Sequence, residues 1–264
     1  MKIQIKTLIA ILLLFAVAAT LFGLFIKQGN VRNLPEIRKA GRLRVIADNS
    51  AMGFNMAQGS AYGFGYEIIK SFADSLGVEL EISEIENPAL ALNRLKNNEF
   101  DIAIVFVPIV EKHRQDLILT NSFLSYRQML VQNKNANKLV KKQYELAGDT
   151  VYIEQNSFYG ERFENMIDEI ADTVFFTELA NVNVEKLVSM TARGEIGKTV
   201  CPEILVNKFA KQYPELDFSL PLSFLQQHAW AVNRNAPMLA KKFDEFLDNF
   251  IESTQYWELY QKYF

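Results

Sequence analysis

Two histidines, His113 and His228, and one cysteine, Cys201, are the chain's whole supply of soft metal ligands and ready nucleophiles. They form neither a CxxC nor an HxxxH spacing, so neither a metal nor any other cofactor is expected. A nucleophilic pair of Cys201 with a histidine needs the fold to join distant residues, and a small buried cysteine is the plainer reading. Gly59, Gly63 and Gly65 lack both the lysine-serine ending of a phosphate loop and the GxGxxG order. The acid pairs Asp168-Glu169 and Glu84/Glu86 read as solvated faces. Catalysis therefore finds little support, and the chain is not expected to be an enzyme. Recognition chemistry is left. Asn156 and Ser157 precede a helical stretch, where they either cap the helix or help its free amides receive an anion.

The elements that would position such groups are legible between Gly41 and Val107. Leu43 to Ala47 is a short apolar run with the β-branched pair Val45 and Ile46, closed by the turn-prone Asp48-Asn49-Ser50. From Tyr66 the residues Ile68, Ile69, Phe72, Ala73 and Leu76 recur at helical spacing, and Gly77 stops the helix. Val78 to Ile85 alternates with the period of a half-buried strand. Asn87 and Pro88 suit the cap and first position of a helix carrying Leu90, Leu92 and Leu95. Asp101 to Val107 is almost wholly apolar, as a strand covered on both faces would be. That order predicts an α/β fold with a parallel sheet. Ligands of such sheets sit beyond the carboxyl ends of the strands, which directs attention to the loops after Ala47 and Val107.

Farther on, Tyr126 to Val131 reads as a strand crossing out of a first lobe, and Gln227 to Val232 as one crossing back. Between them come a strand Val151 to Glu154, a helix Phe158 to Ile170, a helix Val184 to Ala192, a short strand at Thr199 and Val200, and a helix Glu203 to Gln212. The carboxyl-terminal part reads as a helix Pro237 to Ile251 capped by Asn235, then a helix Ser253 to Tyr263 packing Tyr256, Trp257, Leu259 and Tyr260. Two crossings imply two hinge strands.

At the amino terminus, Lys2 and Lys6 precede Leu8 to Ile26, nineteen residues without a charge. As a helix this run would span roughly 28 Å, close to a bilayer core. It reads as an uncleaved anchor or as a signal peptide cut near Ala16-Val17-Ala18. No cysteine in or just after it provides for lipoprotein anchoring. Net charge is −3, and removing Lys2 and Lys6 leaves 26 basic against 31 acidic residues, or −5. Nucleic acid is not expected as a partner, since that needs a basic face.

Several short pieces, in order, resemble a known family. They are Gly41-Arg42-Leu43-Arg44-Val45, Gly63-Phe64-Gly65-Tyr66-Glu67, Phe72-Ala73 with Leu76-Gly77-Val78, Asp101-Ile102-Ala103, Leu146-Ala147-Gly148 before Val151, Gly194-Glu195-Ile196, Tyr213-Pro214-Glu215-Leu216 and Tyr260-Gln261-Lys262-Tyr263-Phe264. The chain resembles the type 3 extracytoplasmic solute-binding proteins, and among their relatives the binding domain of the membrane-bound lytic murein transglycosylases F. The resemblance implies a periplasmic-binding-protein-like fold of type II, two lobes with parallel-core sheets joined by two hinge strands. It divides the chain into residues 1–27 as signal anchor or signal peptide, 28–40 as tether, 41–128 with 223–264 as lobe 1, and 129–222 as lobe 2. The transglycosylases carry their catalytic glutamate in a separate carboxyl-terminal domain, so that activity is not expected here.

The same resemblance nominates site residues. In the family a threonine and an arginine after the strand matching Asp101 to Val107 hold a ligand carboxylate, the arginine through two parallel hydrogen bonds, and a second-lobe acid holds the amino group. The ungapped match puts Val110 at the threonine and His113 at the arginine, with Arg114 one position late. It puts Pro202 at the acid, with Glu203 beside it. Asp48 matches a position that can face a basic ligand group, Phe54 matches a covering aromatic, Phe64 lies in the glycine-flanked motif, and Asn156 with Ser157 match a loop that receives a carboxylate. The plain alternatives remain: Asp48 capping a turn, Phe54 in a lobe core, Asn156 and Ser157 capping their helix, and His113 and Arg114 as surface groups. Val105 to Pro108 replace the small hydroxyls of amino-acid binders and imply a more apolar pocket.

The expectation is a periplasmic or extracytoplasmic protein, anchored in the inner membrane by its amino-terminal helix. It would capture a small polar solute, an amino acid or related compound, for an ABC-type permease. The alternative is a cell-envelope sensor or interaction module with a degenerate pocket. An enzyme on this fold, such as a dehydratase of cyclic amino-acid precursors, is a third and weaker reading.

Overall fold

The computed structural model describes residues 31–85, 87–136, 138–170 and 174–264. The run Leu8 to Ile26 lies outside the described residues; among those described, no helix is long and apolar enough to cross a membrane. The first described element, α1 (Leu34–Ala40), buries Leu34 and Ile37 and ends at Gly41 in the left-handed conformation. Then follow β1 (Arg42–Asp48) and a hairpin of β2 (Asn55–Ala57) and β3 (Ser60–Tyr62). α2 (Phe64–Leu76) buries the stripe Ile68, Ile69, Phe72 and Ala73 and stops at Gly77. β4 (Glu79–Ile85) alternates in burial, and α3 (Pro88–Lys96) starts where the Asn87 side chain accepts the Leu90 amide. β5 (Ile102–Pro108) is buried at every position but Phe106, and α4 (Glu111–Arg114), β6 (Leu117–Leu119) and β7 (Leu124–Tyr126) complete this stretch.

A second group of elements follows: β8 (Gln128–Asn133), β9 (Thr150–Glu154), α5 (Tyr159–Ile170), β10 (Phe175–Leu179), α6 (Val184–Ala192), β11 (Lys198–Pro202), α7 (Val206–Gln212) and β12 (Leu216–Asp217). The chain then returns through β13 (Gln226–Asn233) to α8 (Pro237–Phe250) and α9 (Thr254–Tyr263). Two sheets result. One runs β4-β1-β5-β13-β6, with β7 also paired to β13; the other runs β10-β9-β11-β8-β12. β1 lies parallel to β4 and β5, and β9 parallel to β10 and β11, while β13 and β8 are the antiparallel members. The molecule is therefore a mixed α/β protein of two lobes, and the chain passes between them at Arg127 and again between Pro221 and Gln226.

The core of the first lobe gathers on Trp230 of β13, fully buried, with its ring 5.9 Å from Phe243 and 4.6 Å from Phe123. Burying such aromatics from β13 and α8 fastens the returning segment to a sheet begun almost two hundred residues earlier.

Three local expectations are corrected. Tyr126 to Val131 is not one strand: it breaks at Arg127, so that Tyr126 pairs in the first sheet and Gln128 in the second. Trp257 is exposed, because α9 turns Tyr256, Leu259 and Tyr263 inward instead. Asn235 does not cap α8. Asn33, far away in sequence, accepts the Leu239 amide at 2.9 Å while also forming a capping box with Glu36 at the start of α1. One side chain thus satisfies free amides of two helices. Asn33→Ala should cost about 1–2 kcal/mol in urea unfolding, whereas Asn235→Ala should stay within about 0.5 kcal/mol.

Candidate ligand-binding cleft

The carboxyl ends of the parallel strands of both sheets meet at one place. β1 delivers Asp48, β5 delivers Phe106 and Pro108, β9 delivers Glu154 and β11 delivers Pro202, all lining one cleft between the lobes. The cleft holds about 590 Å³ of non-atom space, its open mouth included. That suits a small molecule. Its first-lobe wall is apolar, made by Met52, Val105, Phe106 and Pro108. Across it stand Ser157, Phe158 and Tyr159 at the start of α5, and Val184 of α6. Tyr126 and His228 close the hinge side, their rings stacked at 3.8 Å and 8°.

The loop after β1 is wound tightly around its aspartate. The Asp48 carbonyl accepts the amides of Ser50 at 3.0 Å and Phe54 at 2.9 Å, and the Ser50 hydroxyl donates to Asp48 Oδ2. Gly53 is required here, because a Cβ at that position would stand 2.4 Å from Asp48 Oδ1 and 2.5 Å from the Asp48 carbonyl. Asp48 Oδ1 itself is buried without a partner among the described residues.

Three carboxyl groups share this low-dielectric space. Burial, reinforced by Glu185, pushes Asp48 up to about 6. Glu154 is pushed up to about 8 by burial, then by Asp48 and Glu185, with the Val184 amide opposing. Burial and the nearby acids likewise raise the Tyr126 and Tyr159 hydroxyls. His228 is driven down to about 4 by burial, so it is neutral at physiological pH. Its Nδ1 lies 3.1 Å from the Gln226 carbonyl and must donate to it, leaving Nε2 as an acceptor.

Several buried polar atoms near the cleft lack partners among the described residues. Besides Asp48 Oδ1, the buried atoms Gln128 Oε1, Ser157 Oγ and Glu185 Oε2 have no partner among the described residues. Gln128 is only 2% exposed and Ser157 8%, and both line the cleft. Buried polar atoms are costly unless paired. No lysine or arginine side chain lines this cavity among the described residues; Lys186 lines an adjoining pocket that shares Asp48, Ser50, Pro88 and Glu154 with it, and donates to the Asn181 carbonyl at 3.4 Å.

The lobes touch through a few polar contacts. Glu185 Oε1 accepts the Ala51 amide at 3.1 Å, and Asn183, the cap of α6, donates through Nδ2 to the Asn49 carbonyl at 3.0 Å. Lys112 of α4 meets Glu161 of α5 at 2.8 Å.

The residues nominated by sequence separate into groups. Asp48 and Ser157 line the cleft. Phe54 is buried behind it, 5.5 Å from Tyr66, and braces the Asp48 loop through its amide. Phe64 is in the core against Tyr256, Tyr263 and Phe264. His113 sits at the rim, its Nδ1 2.9 Å from the Pro108 carbonyl and its ring against Phe158 at 5.2 Å. Arg114 is exposed on α4, outside the lining, and so is Asn156, whose left-handed backbone (φ 54°) turns the chain into α5. Glu203 is held by Arg127 at 2.8 Å beside the hinge, while its neighbour Pro202 lines the cleft. Glu154, Gln128, Tyr126, His228 and Glu185 were not nominated. Only Glu154 carried a signal, as the last residue of a parallel strand.

The sequence pattern that defines the bacterial extracellular solute-binding proteins, family 3, matches residues 43–264. The chain belongs to that family. Among curated relatives of this family 3 protein, the membrane-bound lytic murein transglycosylase F of Desulfosudis oleivorans is 25% identical over 264 residues, all of this chain and 58% of the relative. The chain spans about half the length of the curated relatives it matches. Solved structures share the type II periplasmic-binding fold. A mutant of ArgBP from T. maritima superposes with a TM-score of 0.73 at 21% identity, covering 87% of this chain and 98% of the other. The solute receptor for L-cysteine of Neisseria gonorrhoeae gives 0.76 at 15% identity, covering 88% and 93%.

Proposed function

We propose that this family 3 protein captures a small solute bearing a positively charged group, by closing residues 41–128 with 223–264 against residues 129–222. The observation that carries this reading is the pair of unpartnered buried acceptors around the cleft, Asp48 Oδ1 and Gln128 Oε1, with the unpartnered Ser157 hydroxyl, beside the acids Glu154 and Glu185. Such a lining needs N–H donors and a cation to complete it. Within this reading Asp48 and Glu154 hold the cationic group, Gln128 and Ser157 orient it, and the apolar first-lobe wall covers the solute's body. A solute touching both lobes stabilises the closed state by its differential affinity, and a membrane partner then reads closure.

Two partners fit. Solved neighbours include an amino acid ABC transporter substrate-binding protein, which favours handover to an importer outside the cytoplasm. The curated relatives instead favour an envelope sensor, tethered to the membrane and coupled to murein turnover. A thermal-shift screen of the purified chain against amines, amino acids, short peptides and cell-wall fragments tests the capture itself. A solute at one hundred times its dissociation constant should stabilise by about 2.7 kcal/mol; no shift from any member would refute solute capture. A deletion strain that loses uptake of the solute supports import, while unchanged uptake with altered sensitivity to cell-wall antibiotics supports the sensor.

A further inference from the structure

We infer that the solute held in this cleft is an organic amine or guanidine without a carboxylate, rather than a free amino acid. This rests on reading the cleft as a solute site and names the chemical class it accepts. An α-amino acid brings an anion as well as a cation, and each needs a counterpart once water is expelled. For the cation there are counterparts in the lining, Asp48 with one oxygen unpartnered and Glu154, with the buried Glu185 close behind. Tyr126, Phe106, Phe158 and Tyr159 line the same space, and aromatic rings can favour a cation.

For the anion the lining offers no charged partner among the described residues, only neutral donors such as the Ser157 hydroxyl at the start of α5. No lysine or arginine lines the cavity among the described residues, and His228 is neutral. The Arg127 guanidinium is occupied by Glu203 beside the hinge, and Arg114 is exposed outside the lining. Lys186 lines an adjoining pocket that shares Asp48 and Glu154 with the cavity, so it borders the same acids. A carboxylate placed in the cavity would share it with Asp48, Glu154 and apolar Met52, Val105 and Pro108, so it would be desolvated with no cation to pair with. The first-lobe position where a ligand arginine was expected is taken by His113, which turns to the Pro108 carbonyl and Phe158.

Isothermal titration with matched pairs that differ only in the carboxylate tests this: agmatine against arginine, cadaverine against lysine, putrescine against ornithine. At least one amine should bind tenfold or more tighter than its amino acid. Its binding at pH 7 should release protons, seen as a heat that changes with the buffer's ionisation enthalpy, because the cation makes the raised carboxyls ionise. Glu154→Gln should weaken the amine at least tenfold, and Lys186→Met should leave it within threefold. An amino acid that binds as tightly as its amine, with that affinity lost in Lys186→Met, overturns the inference and leaves solute capture standing. Binding confined to peptides or sugars overturns it in the same way. Silence from every solute in the wider screen removes both.

Discussion

In protein freed of solute, the melting temperature should fall as pH rises from 5 to 9, and the double variant Asp48→Asn with Glu154→Gln should lose most of that decline. The carboxyls of Asp48 and Glu154 titrate near 3.8 and 4.5 in the unfolded chain but are raised to about 6 and about 8 in the cleft. Between those limits the folded protein binds more protons than the unfolded one, so stability falls with increasing pH until both groups are ionised near pH 8. Burial raises both carboxyls most, and Glu185 adds repulsion to each, with Asp48 adding to Glu154; the neighbouring Tyr126 and Tyr159 hydroxyls stay neutral over this range. Removing two ionisable carboxyls while keeping their shape abolishes the linkage, so the variant should melt higher than the parent at pH 8 and close to it at pH 5. Amine affinity should drop by a hundredfold or more in the same variant. Differential scanning fluorimetry across the pH range decides it: parallel curves for parent and variant would show that the cleft acids are not what the pH senses.

The second large effect concerns backbone. Gly63, at φ +141°, begins α2, and a Cβ there would stand 2.3 Å from the Gly53 carbonyl oxygen and 2.9 Å from its carbon. Gly53 in turn presses on Asp48. Nothing flexible can yield at either contact, so Gly63→Ala should cost about 3 kcal/mol or more and weaken solute binding through the displaced Asp48 loop. Gly77→Ala is the matched control, since its left-handed position (φ +70°) opens on empty space and its cost should be only about 1–2 kcal/mol. Urea unfolding of the two variants, followed by titration with the best solute, separates steric collision from conformational preference; equal costs would refute the collision.

Much of the fold was legible because its signals are local. Gly77 stops α2, Asn87 caps α3, and Ile102 to Val107 reads as a covered strand without reference to anything distant. What failed depended on distance. Asn235 looked like the cap of α8, yet the donor it would satisfy is met by Asn33 from the other end of the chain. The candidate site divides the same way. Asp48 and Glu154 end parallel strands and lie where ligands of such sheets gather, although Glu154 read only as the end of a strand. Tyr126 and His228 stack because β7 pairs with β13, and no spacing announces that pairing. Phe64 has the glycine-flanked setting of a ligand cover, yet α9 brings Tyr256, Tyr263 and Phe264 to enclose it.

Asn33 is not alone in stitching the start of the described chain to the first lobe. Arg32 donates to the Arg42 carbonyl at 2.6 Å and reaches the buried Asp101 at 3.3 Å, where Arg44 joins it at 2.9 Å. Arg32 and Asn33 thereby fix the start of the described chain to the lobe of β1. If the cleft closes as proposed in a molecule held from that end, the lobe of β1 would be the stator and the lobe of β9 the rotor, so a listener placed beside the moving half would register every capture as a displacement.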